Sequence, residues 1–124
     1  MITIELPFPH PDLNPNRSNG KRVLTSGLRK KARSDAFYLT RQILKKYAFP
    51  ASVLLGDIPI SITFIQPDKH RRDRDNLLAA FKPSLDGVAD ALGINDCHFE
   101  PVAISREFGK KPGCVLVVIG DFPK

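Results

Sequence analysis

The sequence has only two cysteines, Cys97 and Cys114, and no long apolar run. Two isolated cysteines in 124 residues do not make a disulfide framework, which favours a protein of the reducing cytosol. No apolar stretch approaches the ~20 residues that a membrane-spanning helix needs, and no signal peptide is recognisable. These absences predict a cytoplasmic protein without a membrane partner.

Several motifs of other protein classes are also missing. The three histidines share no metal-ligand spacing with the cysteines, and there is no Gly-rich phosphate loop. A calcium loop starting at Asp73 would need Gly and Glu where the sequence has Leu78 and Ser84. A phosphatase of the Asp-x-Asp type places its nucleophile directly after an apolar strand, but "QPDKHRR" intervenes here. No repeat or linker divides the chain, so a single domain over residues 1–124 is expected.

The positive charge is unevenly distributed along the chain. The net charge is +6, and residues 1–50 hold ten Lys and Arg against three acids, whereas residues 51–124 hold nine against ten. Such asymmetry indicates a polyanionic partner, most often nucleic acid. The alternative is a solvated basic helix that serves only solubility.

Hydrophobic periodicity predicts six elements in the order β-α-β-α-β-β. They are a strand over residues 2–6, a helix over 26–48, a strand over 58–64, a helix over 76–92, and strands over 102–108 and 114–122. The turn formers "GKKPG" join the last two strands and predict a β-hairpin, while Pro83 predicts a kink or break in the second helix. The fold class is α+β, a single small domain with two helices packed on a mixed sheet.

The first helix is predicted to have one apolar and one basic face. Its apolar stripe has helical spacing and consists of Ala32, Ala36, Leu39 and Ile43. Four bases fall on another arc about 120° wide, since each residue advances about 100°; they are Lys30, Arg33, Arg41 and Lys45. The preceding loop, rich in turn formers, adds Arg17, Lys21 and Arg22. Together these side chains are the predicted DNA-binding surface.

Acidic side chains concentrate where the second strand gives way to the second helix. In "HRRDRDNLLAAFK", Asp73 and Asp75 lie among arginines, and Lys82 and Asp86 follow Asp75 by seven and eleven residues. Those offsets are about −20° and +20° on a helical wheel, which places the three on one face. Asp96 follows the end of this helix. Clustered carboxylates repel one another unless a cation binds, and Mg²⁺ or Mn²⁺ prefers such oxygen ligands.

A simpler interpretation of the acids remains open. Asp73 alone is a good helix N-cap, and Asp75 suits the first turn of a helix because it complements the macrodipole. The neighbouring arginines, Arg71, Arg72 and Arg74, would then pair with the acids.

The segments "RRDRDNLLAAFKPSLDG" and "GINDCHF" resemble the RusA-type Holliday junction resolvases. The opening "LPFPHPDLNPNR" is similar to their N-terminal strand and Pro/Asn-rich loop, so the resemblance covers most of the chain. It implies a homodimeric endonuclease that depends on Mg²⁺ or Mn²⁺ and nicks four-way DNA junctions symmetrically in recombination and repair.

The resemblance also implies residue roles. Its essential metal-binding acids fall on Asp73, Asp75 and Asp96. Arg72 matches the basic residue before the acids, and Lys82, four residues before Asp86, matches a catalytic helix lysine; counted forward from the acids, that position is Ala79. Asp86 is expected to support the site, and Arg74 joins the DNA-binding set. The alternative function is a non-catalytic basic nucleic-acid-binding module whose acids are caps and ion pairs.

Overall fold

The computed structural model describes residues 2–14, 22–47 and 57–120, without the side chains of 22–24 and 47. Within these ranges the chain forms β1 (Ile2–Pro7), α1 (Arg22–Tyr47), β2 (Ile58–Gln66), α2 (Arg74–Leu92), β3 (Phe99–Phe108) and β4 (Cys114–Ile119). Two 3-10 turns lie at Pro11–Leu13 and Asp96–His98. The predicted α+β class and the order β-α-β-α-β-β are confirmed.

The four strands form one mixed sheet in the order β1-β4-β2-β3. β2 is parallel to β3 and antiparallel to β4, and β4 is antiparallel to β1. Alternate side chains of the strands are buried together with the apolar stripes of α1 and α2 in one core. Both helices therefore cover the same face of the sheet, which is how a strand–helix–strand connection buries its helix.

The predicted hairpin between the last two strands is wrong. β3 and β4 are antiparallel, but β2 lies between them and pairs with both. Their connection passes across the end of β2, where the Gly109 amide donates to the Gln66 carbonyl over 2.8 Å. Turn residues specify only that the chain reverses. The burial of β2 agrees with a central position, because the residues between its buried ones are half-buried, whereas those of the edge strand β1 are exposed.

Helix α2 starts and ends at well-defined caps. Its N-cap is Asp73, whose Oδ1 accepts a hydrogen bond from the Asp75 amide over 2.9 Å. Its C-cap is Gly93 at φ 73°, a left-handed conformation that favours glycine. Pro83 does not divide the helix, since α2 is continuous from Arg74 to Leu92; the predicted break is wrong, and the alternative of a kink stays a prediction. The Ala79 carbonyl, which loses its helical donor to the proline ring, belongs to an exposed residue that water can reach.

Edge strand β3 is largely exposed along its ten residues. In the described part of the chain it pairs with β2 only. Val102 and Phe108 are 39% and 63% exposed, and charged residues and Pro101 alternate with them. Neither of the two described helices is long and apolar enough to cross a membrane.

The two helices approach each other closely at Gly87. A Cβ at this position would clash with the Arg33 carbonyl oxygen of α1 and lie 3.0 Å from the Ala36 Cβ. Beside the crossing, Arg33 donates two hydrogen bonds to Asp90, over 2.6 and 3.0 Å, and these lower the pKa of the Asp90 carboxyl. The contact fixes α1 against α2 by backbone proximity and by one bidentate ion pair.

We expect Gly87→Ala to lower the free energy of unfolding by about 1–3 kcal/mol, because the added methyl group must push the helices apart. Urea denaturation measures this change. The matched control is Gly27→Ala in α1, where a Cβ meets nothing within 4 Å. There alanine should stabilise the protein by about 0.5–1 kcal/mol. Equal effects of the two substitutions would contradict the close approach.

Candidate active site

A cavity opens where β2 leads into α2. Its volume is about 400 Å³, and six charged side chains line it: Arg71, Arg72, Asp73, Arg74, Asp75 and Arg106. We call it the arginine–aspartate cavity. Five of the six residues are consecutive, and Arg106 reaches the cavity from the neighbouring β3. The parallel pairing of β2 with β3 brings Arg106 opposite Phe64 and hence to this end of the sheet.

The two aspartates of this cavity lie close together and keep free oxygens. Oδ1 of Asp73 accepts the Asp75 amide, which confirms the interpretation of Asp73 as an N-cap. Among the described residues, neither Oδ2 of Asp73 nor the Asp75 carboxylate takes part in a hydrogen bond or an ion pair. The arginines in the same cavity do not pair with these two acids, so the carboxylates remain open to a ligand.

Arg72 pairs instead with an acid that precedes the cavity. Its guanidinium donates to both oxygens of Asp68, over 2.7 and 3.2 Å, and lies 5.5 Å from the centre of the Phe8 ring. The hydrogen bonds from Arg72 lower the pKa of Asp68 to about 2. The Arg106 guanidinium donates to the Arg72 carbonyl. Arg72 is therefore held at its side chain and at its backbone.

The other predicted site residues form a separate group. Lys82 donates to Asp86 over 2.8 Å and also to Asp96, which the 3-10 turn after α2 brings back toward the helix. Asp75 and Asp86 share a helix face, as predicted, but eleven residues correspond to about 16 Å along the axis. The predicted site residues thus divide between the cavity and this Lys82 cluster.

The donor chemistry of the cavity suits a hard divalent cation. Two carboxylates with free oxygens are the ligands that Mg²⁺ and Mn²⁺ prefer, and no sulfur or imidazole lines the cavity. Within residues 2–14, 22–47 and 57–120, no three acidic, histidine or cysteine side chains are grouped as a metal site. The third predicted ligand, Asp96, is engaged by Lys82.

The predicted DNA-binding side chains of α1 are in different situations. Lys30, Arg41 and Lys45 are exposed, and Arg41 lies over the Phe37 ring at 5.5 Å. Arg33 faces α2, where it is bound to Asp90. Arg17 and Lys21 lie outside the described residues, and Arg22 begins α1 with its side chain undescribed.

Two residues of this region were not predicted from the sequence. Asp68 lies four residues before Arg72, a spacing that in a helix would have suggested a pair, but here the residues precede the helix. Arg106 gave no local signal, because its place depends on the register of β3 against β2.

The Asp68–Arg72 pair should make stability depend on pH in the acid range. The folded pKa of Asp68, about 2, is below the ordinary 3.8, so its contribution is complete above about pH 4 and is lost as the pH falls through about 2. We expect wild type to lose more unfolding free energy than Asp68→Asn over this window in urea denaturation. In an Arg72→Met background the same substitution should have no such effect. Parallel curves for wild type and Asp68→Asn would contradict the pairing.

Comparison with known proteins finds a relative that aligns over most of the chain. No family model matches the sequence. The chain is 35% identical over 121 residues to a protein of Xylella fastidiosa (strain Temecula1) that is described only as uncharacterized. The alignment covers 96% of this chain and 76% of that protein. The chain therefore belongs to the same protein family as the Xylella fastidiosa protein.

Proposed function

We propose that this protein is a metal-dependent endonuclease that cleaves branched DNA, with the four-way junction as its substrate. The observation that carries the proposal is the arginine–aspartate cavity, where two carboxylates with free oxygens lie beside four guanidinium groups. Phosphodiester hydrolysis needs both kinds of group, because anionic ligands hold a divalent ion while cations bind the phosphate and offset its developing charge.

The proposed metal ligands are Asp73 and Asp75, the two acids of the arginine–aspartate cavity. Asp96, which the resemblance to RusA-type resolvases implies as a third ligand, lies instead in the Lys82 cluster. The chemistry that Mg²⁺ or Mn²⁺ supplies in such reactions is polarisation of the phosphate and activation of the attacking water. Asp73 has a second task in the fold, since its other oxygen caps α2. The same residue therefore fixes the helix start and presents a carboxylate oxygen to the cavity.

The arginines of the cavity are the proposed phosphate contacts. Arg71 and Arg74 are exposed, and a planar guanidinium binds phosphate oxygens in a bidentate manner. Arg72, held by Asp68, forms the rigid wall of the cavity. In the Lys82 cluster, Lys82 has three N–H donors, of which two contact Asp86 and Asp96, so it orients these acids and retains a donor for phosphate.

The exposed bases of α1 are the proposed surface for the DNA arms. Lys30, Arg41 and Lys45 would contact backbone phosphates, with the preceding basic loop beside them. Arg33 contributes less to this surface, because the Asp90 carboxylate offsets its charge. Two symmetrical nicks in one junction require two sites, so we propose that a homodimer acts.

A second candidate function has its own support. Asp73 caps a helix, Asp68 and Asp90 pair with arginines, and Asp96 pairs with Lys82, as expected of a non-catalytic nucleic-acid-binding module. Metal binding separates the two candidates. A ligand that binds only the folded state raises the melting temperature, so Mg²⁺ or Mn²⁺ should stabilise a nuclease and leave a plain binding module unchanged.

We expect Asp73→Asn and Asp75→Asn to nearly abolish cleavage of a labelled four-way junction in Mg²⁺. Binding of the junction should persist or tighten, since each change removes a negative charge that faces phosphate. Asparagine caps a helix as well as aspartate does, so Asp73→Asn should keep the fold. Circular dichroism checks this, and normal cleavage by both variants would refute the metal site at Asp73 and Asp75.

Replacing Lys30, Arg41 and Lys45 together with alanine should weaken binding to all DNA and reduce its salt dependence. The slope of log K against log salt is about −0.9 per neutralised duplex phosphate, so three lost contacts should flatten it by roughly 2 to 3. The matched control is Arg33→Ala, which should lower stability and change the slope less than the loss of one exposed base does, because Asp90 offsets the Arg33 charge. If the triple variant kept the wild-type slope, the basic face would serve solubility alone.

A further inference from the structure

A second cavity adjoins the arginine–aspartate cavity and shares the side chain of Arg72 as a wall. Its volume is about 380 Å³, and it lies between the segment after β1, the first turns of α2 and the β3–β4 connection. We call it the Phe8 cavity. Arg72 is fixed between the two spaces by Asp68, so a ligand in one cavity lies next to a ligand in the other.

The lining of the Phe8 cavity is apolar, with polar groups at a few points. Phe8, Pro9, Leu77, Ala80 and Pro112 supply flat or compact hydrophobic surface. No carboxylate lines it, and its one permanent cation is the paired Arg72. A phosphate would find no free positive charge here. A planar, uncharged group with polar edges fits this lining, and the volume falls within the range of small-ligand sites, about 300–1,000 Å³.

Two polar side chains are placed to bind such edges. Asn76 directly follows Asp75, and among the described residues its side-chain amide forms no hydrogen bond. Asparagine is a poorer helix former than alanine, so helix stability does not explain its presence here. Its amide offers two donors and an acceptor, the pattern that reads base edges. The Nδ1 of His10 accepts the Asp12 amide over 3.1 Å, which leaves Nε2 as the donor of the neutral ring.

We propose that the Phe8 cavity holds the base of one unstacked nucleotide whose phosphate lies in the arginine–aspartate cavity. The inference rests on the proposed action on branched DNA and adds how the substrate is read. Unstacking costs least for a base that is not held in a regular paired duplex, and a base that enters the cavity gains contacts with apolar walls and with the Asn76 side-chain amide. Cleavage would then occur beside a nucleotide that has left the stack.

The experiment measures binding of four-way junctions that carry one abasic site at successive positions around the branch. Asp75→Asn serves as the background, so that the DNA stays intact. At one position, loss of the base should weaken binding by roughly 5- to 150-fold, the value of one stacked base. With Asn76→Ala added, intact DNA should bind more weakly, and the same abasic site should have a markedly smaller further effect. Such non-additivity shows that side chain and base contact each other.

The controls separate this inference from the proposed function. Lys30→Ala should weaken the binding of intact and of abasic junctions by the same factor. Ala80→Met, which places a larger side chain in the Phe8 cavity, should repeat the Asn76→Ala result, because both variants disturb the same base contact. If the effect of each substitution simply added to the effect of the abasic site at every position, the base-binding site would be overturned and the proposed nuclease would stand. Failure to bind any DNA would overturn both.

Discussion

The end of the sheet that carries both cavities depends on one buried residue, Gln66. It is the last residue of β2 and is 1% exposed, so its polar atoms must find partners within the protein. Its side-chain Nε2 donates to the His70 carbonyl over 2.7 Å. Its backbone carbonyl accepts a hydrogen bond from the Gly109 amide over 2.8 Å. The first bond fixes the segment that leads to Arg72 and Asp73. The second fixes the β3–β4 connection. One wall of the Phe8 cavity follows each of these segments, so Gln66 links them through its side-chain Nε2 and its backbone carbonyl.

Much of the fold was predictable because its signals are local. Alternation gave the strands, 3.6-residue spacing gave both helices, and the glycine stop after α2 proved to be a left-handed C-cap at Gly93. The neighbours of each strand were not predictable. "GKKPG" is a good reversal, but the position of β2 between β3 and β4 agrees with the burial of β2, which is a property of the whole core. Pro83 failed as a helix breaker for a similar reason, since packing of α2 on the sheet outweighs one missing hydrogen bond.

The candidate site shows the same division between local and distant information. Asp73 and Asp75 are adjacent at a helix start, and the sequence placed them there. The helical wheel grouped Asp86 with them, because a wheel reports the angle around the axis and ignores the distance along it. In the structure Asp86 lies with Lys82 and Asp96. The guanidinium of Arg106 was invisible because strand register decides its place. Arg33 matched the basic arc by spacing alone, whereas the crossing of α1 and α2 turned it toward Asp90.

The exposed edge of β3 has a consequence for how this protein avoids strand-to-strand aggregation. An edge strand offers unpaired N–H and C=O groups to any other strand, and charge or proline is a common protection. In β3 this protection consists of Glu100, Pro101, Arg106 and Glu107, around the exposed Val102 and Phe108. Arg106 therefore stands at two boundaries, that of the arginine–aspartate cavity and that of the sheet. Removing its charge to study the cavity also lowers the barrier to strand-to-strand aggregation.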